Sequence, residues 1–529
     1  MINPINTTDN KKSLALLKAK AIAAGACGVS RPSFAGKNFA LPPNASFNNV
    51  PVSFNTQLRT AEEREKYSKV VENLDNKSRL KLEVLLKNGR LLNNDSNDKT
   101  TTLDNLYNIV VNKRAAGLDA KGILNDVVTA IDNPYVITQK FGDIPKPFSD
   151  EIIANSDKFS TYDQPYSNYV DAILTTGKIP QRQKLTKEAL NIASSSCVAA
   201  SIQFNLAFKH PAEYTRMAEK LSSENLCVDK NIKLSDVAPD KEDAKWLLSQ
   251  FKVPYEEINP EYIKVNMQPD KNSIIRARIQ ANSLYRDPGE RSPIDVLMQS
   301  TFMNIGSQQT YDALTDVRTG KFNPDNRGLT DIEKNLAEVL AQGKSKISVT
   351  YQILDETGKI IGYECPHENT LKHIKDALAS GENVIVGYTH TDENNKVING
   401  HEITIIGIDK DKNGKEFFVC NDTDDMKDEP IRYEVSYLLP KIHHAGLPKE
   451  VLKNDEKLIS LWTETLNQYK EVMQPVRAES TPRAAFSSDI YTNNKFSNAI
   501  YDDNLQYRLA IAKIKLAGSS NKPYVSAAV

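Results

Sequence analysis

NGHEITIIGIDKDKNGKEFFVCND, residues 399–422, decides how the second half of this chain is built. Apolar residues alternate on both sides of a polar turn, DKDKNG, the pattern of two antiparallel strands joined as a hairpin. Such a pair brings the start of its first strand beside the end of its second. His401, read as the first residue of its strand after a glycine-containing loop, should therefore neighbour Asn421 and Asp422. Phe417, Val419 and Asn421 share one face of the second strand, and Phe418, Cys420 and Asp422 share the other, so only one of Asn421 and Asp422 can face the imidazole. An amide oxygen or carboxylate there would hold the ring in one tautomer, as a general base requires.

Upstream of this hairpin the period remains that of strands. NVIVGYTH reads as another strand, KISVTYQIL and KIIGYEC flank DETG as a hairpin, and TLKHIKDALASG is one amphipathic helix closed by glycine. Earlier still the period is helical, with segments near 197–208, 211–222, 240–251 and 292–304. The last opens SPID, a serine cap with Pro293 at the first helical position and Asp295 at the third. Helices first and sheet afterwards define an α+β domain.

The first of these helices opens SSSCVAASIQF, residues 194–204. A thiol attacks a carbonyl only as thiolate, and a helix N-terminus or a neighbouring imidazolium supplies that form at neutral pH. Cys197 has the first by position, with Ser194, Ser195 or Ser196 available as cap and Val198, Ile202 and Leu206 forming a buried face. A small residue packed at the start of a core helix would read the same way.

A helix-initiating cysteine, a distant GH followed by alternating apolar residues, and Asn or Asp closing the next strand together resemble the papain-like cysteine peptidase fold, nearer its bacterial C39-like branch. The likeness covers roughly residues 165–445. It implies Cys197 as nucleophile, His401 as general base and acid, and Asn421 as the orienting residue, with Asp422 as the alternative because C39-like enzymes use aspartate. It also implies an oxyanion donor a few residues before the cysteine. Asn191, six residues before, stands there, with Gln181 and Gln183 more distant. The chain departs from the family in having no glycine before the cysteine, Val198 where an aromatic residue is usual, and a long cysteine-to-histidine interval. The resemblance further implies a cysteine peptidase or related amide hydrolase working through an acyl-enzyme, on a peptide or protein substrate and without a cofactor or metal. The same residues would serve transglutaminase-like acyl transfer or deamidation, and a non-catalytic relative would be a binding or scaffold module.

The rest of the chain divides around this domain. Residues 1–58 are rich in Asn, Ser, Pro and Gly and read as a disordered leader. Residues 59–133 read as a small helical bundle, opened by the capping box of Thr60 and Glu63, with one helix stopped by Gly89 and the last ended by Pro134. The papain-like domain is expected over 134–445, its first part a connector, and C-terminal helices with a polar tail over 446–529. The bundle is the candidate surface for a protein partner.

Lys plus Arg (67) and Asp plus Glu (68) nearly cancel, so no global field points to nucleic acid or an anionic membrane. No apolar run reaches the roughly 20 residues needed to span a bilayer. Five cysteines without a CxxC fit neither a disulfide framework nor a zinc site. The expected location is the cytoplasm, or outside it by a route that leaves no recognisable signal peptide. NDTDDMKDE lacks the alternation and central glycine of an EF-hand, and adjacent His443 and His444 should point apart.

Overall fold

The computed structural model describes residues 55–140, 196–281, 290–314, 316, 318, 328–329, 331–355, 358–424, 428–453 and 455–473. Asn191, Gln181, Gln183, nearly all of the leader, most of the connector and the polar tail lie outside them. The fold is α+β, with fourteen helices and antiparallel sheets among the described residues. None of these helices is long and apolar enough to cross a membrane.

Four helices open the described chain: α1 (Ala61–Glu72), α2 (Asn76–Lys87), α3 (Thr102–Val111) and α4 (Ala120–Asp132). Their starts are local in origin. Thr60 and Glu63 form a reciprocal capping box on α1, Thr101 and Asp104 do so on α3, and Asp75 and Asp119 cap α2 and α4. Gly89, just past the end of α2, has a φ of +78°, a conformation that costs glycine little.

After a short turn at Pro134–Val136 come α5 (Cys197–Lys209), α6 (Pro211–Leu221), α7 (Leu234–Val237), α8 (Lys241–Gln250), α9 (Ser273–Ala281), α10 (Pro293–Gly306) and α11 (Asp331–Gln342). Helix α10 is buried on every side and is the hub of the helical half. Among these helices lies a three-stranded sheet that the helical period of this region does not announce, built from β1 (Val228–Lys233), β2 (Tyr255–Glu257) and β3 (Tyr262–Met267) in the order β1-β3-β2.

The main sheet has six strands in the order β10-β9-β8-β7-β11-β4: β4 (Lys346–Thr350), β7 (Val384–Thr391), β8 (Val397–Lys410), β9 (Glu416–Asn421), β10 (Ile431–Glu434) and β11 (Ile442–Pro448). The hairpin expected about DETG forms over its inner residues only, and the first half of KISVTYQIL is a separate strand. Strand β4 joins the main sheet, while β5 (Gln352–Leu354) and β6 (Ile360–Tyr363) pair separately. Helix α12 (His367–Ala379) precedes β7, α13 (Val435–Leu438) follows β10, and α14 (Glu456–Met473) closes the described chain.

One continuous apolar core runs from Val70 in α1, through α5, α10 and the main sheet, to Leu466 in α14. The four-helix segment also meets α6 through polar contacts. Arg114 reaches the Glu219 side chain at 3.0 Å with both side chains buried, and the Asn97 backbone N–H donates to Glu213 at 2.8 Å. An ion pair so enclosed holds these surfaces in one register, because either charge left alone would be costly.

The main sheet also buries a polar cluster, centred on Glu402 of β8. Glu402 faces Gly387 of β7, and its Oε1 lies 2.5 Å from His444 Nε2 of β11. A β-bulge between Ile442 and His444 turns the two adjacent histidines so that their Nδ1 atoms meet at 3.0 Å, correcting the expectation that they point apart. Gly387 leaves room for this pair: a Cβ there would stand 2.3 Å from His444 Cε1 and 2.5 Å from Glu402 Oε1. Gly387→Ala is therefore expected to cost about 1–3 kcal/mol by overpacking, seen as a lower urea midpoint with an unchanged slope. An unchanged midpoint would mean that the two side chains yield freely.

Candidate active site

Pairing register places the site. Strands β8 and β9 pair with Thr404 opposite Asn421, so Asp422, one residue on, comes opposite Ile403 and on the same face as His401. Asn421 falls on the opposite face. Its side chain is buried, and its Nδ2 has no hydrogen-bond partner among the described residues. The imidazole partner is accordingly Asp422: His401 Nε2 lies 2.8 Å from Asp422 Oδ1. His401 is not the first residue of its strand, as its sequence context suggests, because β8 begins at Val397. Strands β7 and β8 continue their pairing as far as Thr391 and Val397, so VING is strand rather than loop.

The carboxylate is held on every side. Asp422 Oδ1 also accepts the backbone N–H of Asp424 at 3.0 Å, and Oδ2 accepts the hydroxyl of Tyr433 in β10 at 2.8 Å. Tyr388 stands directly opposite His401 on β7, its ring edge-on to the imidazole with centroids 5.7 Å apart. Tyr433 and Tyr388 are the site residues that sequence reasoning missed. The signal was present in strand parity, since both aromatics fall on the His401 face, but it needed the strand order to be read.

Burial opposes ionisation of the imidazole, yet the Asp422 carboxylate outweighs it, and with Tyr388 and Cys197 raises the His401 proton affinity well above its ordinary range. Burial likewise works to raise Asp422, and the imidazolium together with the Asp424 and Tyr433 hydrogen bonds reverses it, leaving the carboxyl below its ordinary range. The two shifts agree on a resting imidazolium–carboxylate pair. With Nε2 committed to Asp422, Nδ1 is the ring nitrogen left for Cys197.

Cys197 is the first residue of α5, which packs against β8, and its thiol is half-buried. Among the influences on the His401 ring, Asp422 and Tyr388 outweigh the thiol, which adds a weaker push in the same upward direction. Ser196 occupies the N-cap position, but its side chain makes no cap bond. The hydroxyl instead donates to Gln299 Oε1 at 3.2 Å and accepts from the Arg291 guanidinium. The expected serine cap is thus replaced by an anchor to α10, because the hydroxyl is claimed by buried partners. Ser194, Ser195 and Asn191 lie outside the described residues. Among the other described cysteines, burial pushes the Cys420 and Cys365 thiols up, which leaves them poor thiolates.

Tyr433→Phe removes one donor from a buried carboxylate. It should cost about 1–2 kcal/mol of stability and let the His401 titration midpoint, followed by NMR, fall toward its ordinary value. A midpoint that stays put would show that the tyrosine hydroxyl does not tune the pair.

Family models, curated proteins and solved structures were all compared with this chain, and none matches it.

Proposed function

We propose that this chain is a thiol-dependent amide hydrolase of papain-like type, acting on peptide or protein amides, with Cys197 as nucleophile, His401 as general base and acid, and Asp422 as the group that orients the ring. The observation that carries this reading is the 2.8 Å His401–Asp422 pair, with Cys197 at the start of α5, a helix that packs against β8, and influencing the same imidazole. A helix N-terminus and an imidazolium are the two features that favour a thiolate.

In the reaction, the Cys197 thiolate attacks the amide carbon and the carbonyl electron pair moves onto oxygen. The backbone N–H of Cys197 is positioned at the helix start to stabilise that oxyanion. As the tetrahedral species collapses the C–N bond breaks, His401 gives its proton to the departing nitrogen, and a thioester remains on Cys197. His401, now neutral, takes a proton from water. The resulting hydroxide attacks the thioester, the thiolate leaves and the carboxylic acid product is released. Asp422 stays ionised throughout and stabilises the imidazolium each time it forms.

The test is acylation by p-nitrophenyl acetate. The wild type should give a burst of p-nitrophenol with an acetyl group on Cys197 by peptide mass spectrometry, and Cys197→Ala should give neither. Loss of the acetyl group to water supports hydrolysis, whereas loss only when an added amine becomes acetylated points to acyl transfer. No adduct on Cys197 would overturn the assignment.

A further inference from the structure

We infer that residues Thr138–Lys140, which leave the four-helix segment, form a positioning strap that ties the nucleophile helix to the aspartate-bearing loop. The inference rests on the thiol-hydrolase reading and adds to it that the helical segment is a permanent part of the catalytic unit, not a removable cover.

The strap touches both halves of the site. On one side lies Thr423, the residue after Asp422. Its carbonyl accepts the Gln139 backbone N–H at 3.0 Å and the Thr138 hydroxyl at 3.0 Å, and its own hydroxyl donates to Gln139 Oε1 at 3.0 Å. On the other side lies Ser196, the residue before Cys197. Arg291 donates through Nε to the Gln139 carbonyl at 3.2 Å and through its terminal nitrogen to the Ser196 hydroxyl. Gln299 repeats the bridge, donating to the Thr138 carbonyl at 2.9 Å while accepting from Ser196 at 3.2 Å. The Arg291 backbone N–H closes the set on the Lys140 carbonyl at 2.9 Å.

Gln139, Ser196, Arg291 and Gln299 are fully buried, with Thr423 nearly so. Gln299 also donates to Gln203 Oε1 of α5 at 2.9 Å, and Gln203 donates to Asp295, the capping-box carboxylate of α10, at 2.7 Å. The network therefore fixes α5 at two points along its length. Gln139 Nε2 has no hydrogen-bond partner among the described residues, but the bonds that are made interlock, so that moving one member strands the others. The Cys197-to-His401 separation depends on how α5 sits against β8, and Asp422 depends on the loop that Thr423 begins. The strap sets both from one short segment. Two further contacts extend the hold: Asn133, at the end of α4, donates to the Asp428 carbonyl at 3.1 Å, and the Tyr135 ring lies 5.3 Å from that of Phe204 in α5.

The experiment compares iodoacetamide alkylation of Cys197 at about pH 6, where an ordinary thiol is almost wholly protonated, in wild type, Thr138→Val, Thr423→Val and the double variant. Thr215→Val serves as control. It removes a buried threonine hydroxyl bond of 2.7 Å to the Pro211 carbonyl in α6, away from the strap. Thermal unfolding is followed on every protein. The strap predicts a loss of about tenfold or more in the low-pH rate for the strap variants that remain folded, with the rate in Thr215→Val unchanged even where its melting temperature falls as far. Because the strap changes are near-isosteric, at least one single variant should fold. Wild-type low-pH reactivity in folded strap variants would overturn the strap and leave the hydrolase reading standing. An unreactive Cys197 in the wild type would instead remove the hydrolase reading, and the strap with it.

Discussion

Asp422→Ala is expected to lower the rate of Cys197 acylation by p-nitrophenyl acetate by about a hundredfold or more while the protein stays folded. The loss has two sources. The 2.8 Å bond to Asp422 Oδ1 fixes which ring nitrogen carries the proton and which faces the thiol, so without it the ring is free to rotate. The carboxylate is also the strongest influence raising the His401 proton affinity, so its loss leaves burial to favour the neutral ring, and the thiolate loses its cationic partner.

A pH signature accompanies this change. The raised His401 value contributes stability that is fully present below the ordinary 6.5 and is lost as pH rises through the elevated value. The lowered Asp422 value contributes stability that is present above 3.8 and is lost as pH falls through the depressed value. The pair is therefore most stabilising between those limits, and Asp422→Ala should flatten the wild-type fall in stability on both flanks. Acylation retained at wild-type rate in Asp422→Ala would show that the carboxylate plays no part in the chemistry.

Lys334→Met should be the most destabilising single change at the buried charge cluster against the main sheet, at about 3–5 kcal/mol. Lys334 of α11 is fully buried. Its Nζ lies 3.0 Å from Glu402 Oε2 and 3.2 Å from the Ile385 carbonyl. Methionine fills similar volume but leaves the Glu402 carboxylate with His444 alone, in a site where an under-compensated charge is expensive. Burial works to raise the Glu402 carboxyl, and the His444 and Lys334 charges reverse this and hold it at about 2. Its contribution is thus present above the ordinary 4.5 and is lost as pH falls toward about 2. In Lys334→Met the carboxyl moves back toward its ordinary value, so denaturant midpoints should change less across that acid range than in the wild type. A variant within about 1 kcal/mol of the wild type would mean that the cluster relaxes or takes in water.

The parts of this fold that are written locally could be read from the sequence. The Thr60–Glu63 and Ser292–Asp295 capping boxes sit where the residue types place them, because each needs only four consecutive residues. The parity argument for the 399–422 hairpin allowed one of Asn421 and Asp422 beside His401, and the register puts Asp422 there. The parts that could not be read depend on distant partners. In β1 the inward face includes Lys230, whose ammonium is buried against Glu213 at 2.9 Å, so its hydrophobic alternation is incomplete. VING has too few apolar residues to signal a strand, yet it pairs because β7 continues alongside it. Ser196 resembles a helix cap until Arg291 and Gln299 are seen to claim its hydroxyl. The segment 134–140 has no period at all, and its backbone polar groups find their partners on Thr423, Arg291 and Gln299.

The central claim is that Cys197 and His401 form a reactive pair, and it is tested most directly by the alkylation rate of each cysteine against pH. Iodoacetamide labelling is read by peptide mass spectrometry on the native protein and on His401→Ala. The account predicts that Cys197 reacts well below pH 7, far faster than Cys227, Cys365 or Cys420, and loses that advantage in His401→Ala. A Cys197 that is inert, or that titrates like an ordinary thiol whichever residue stands at 401, would contradict it.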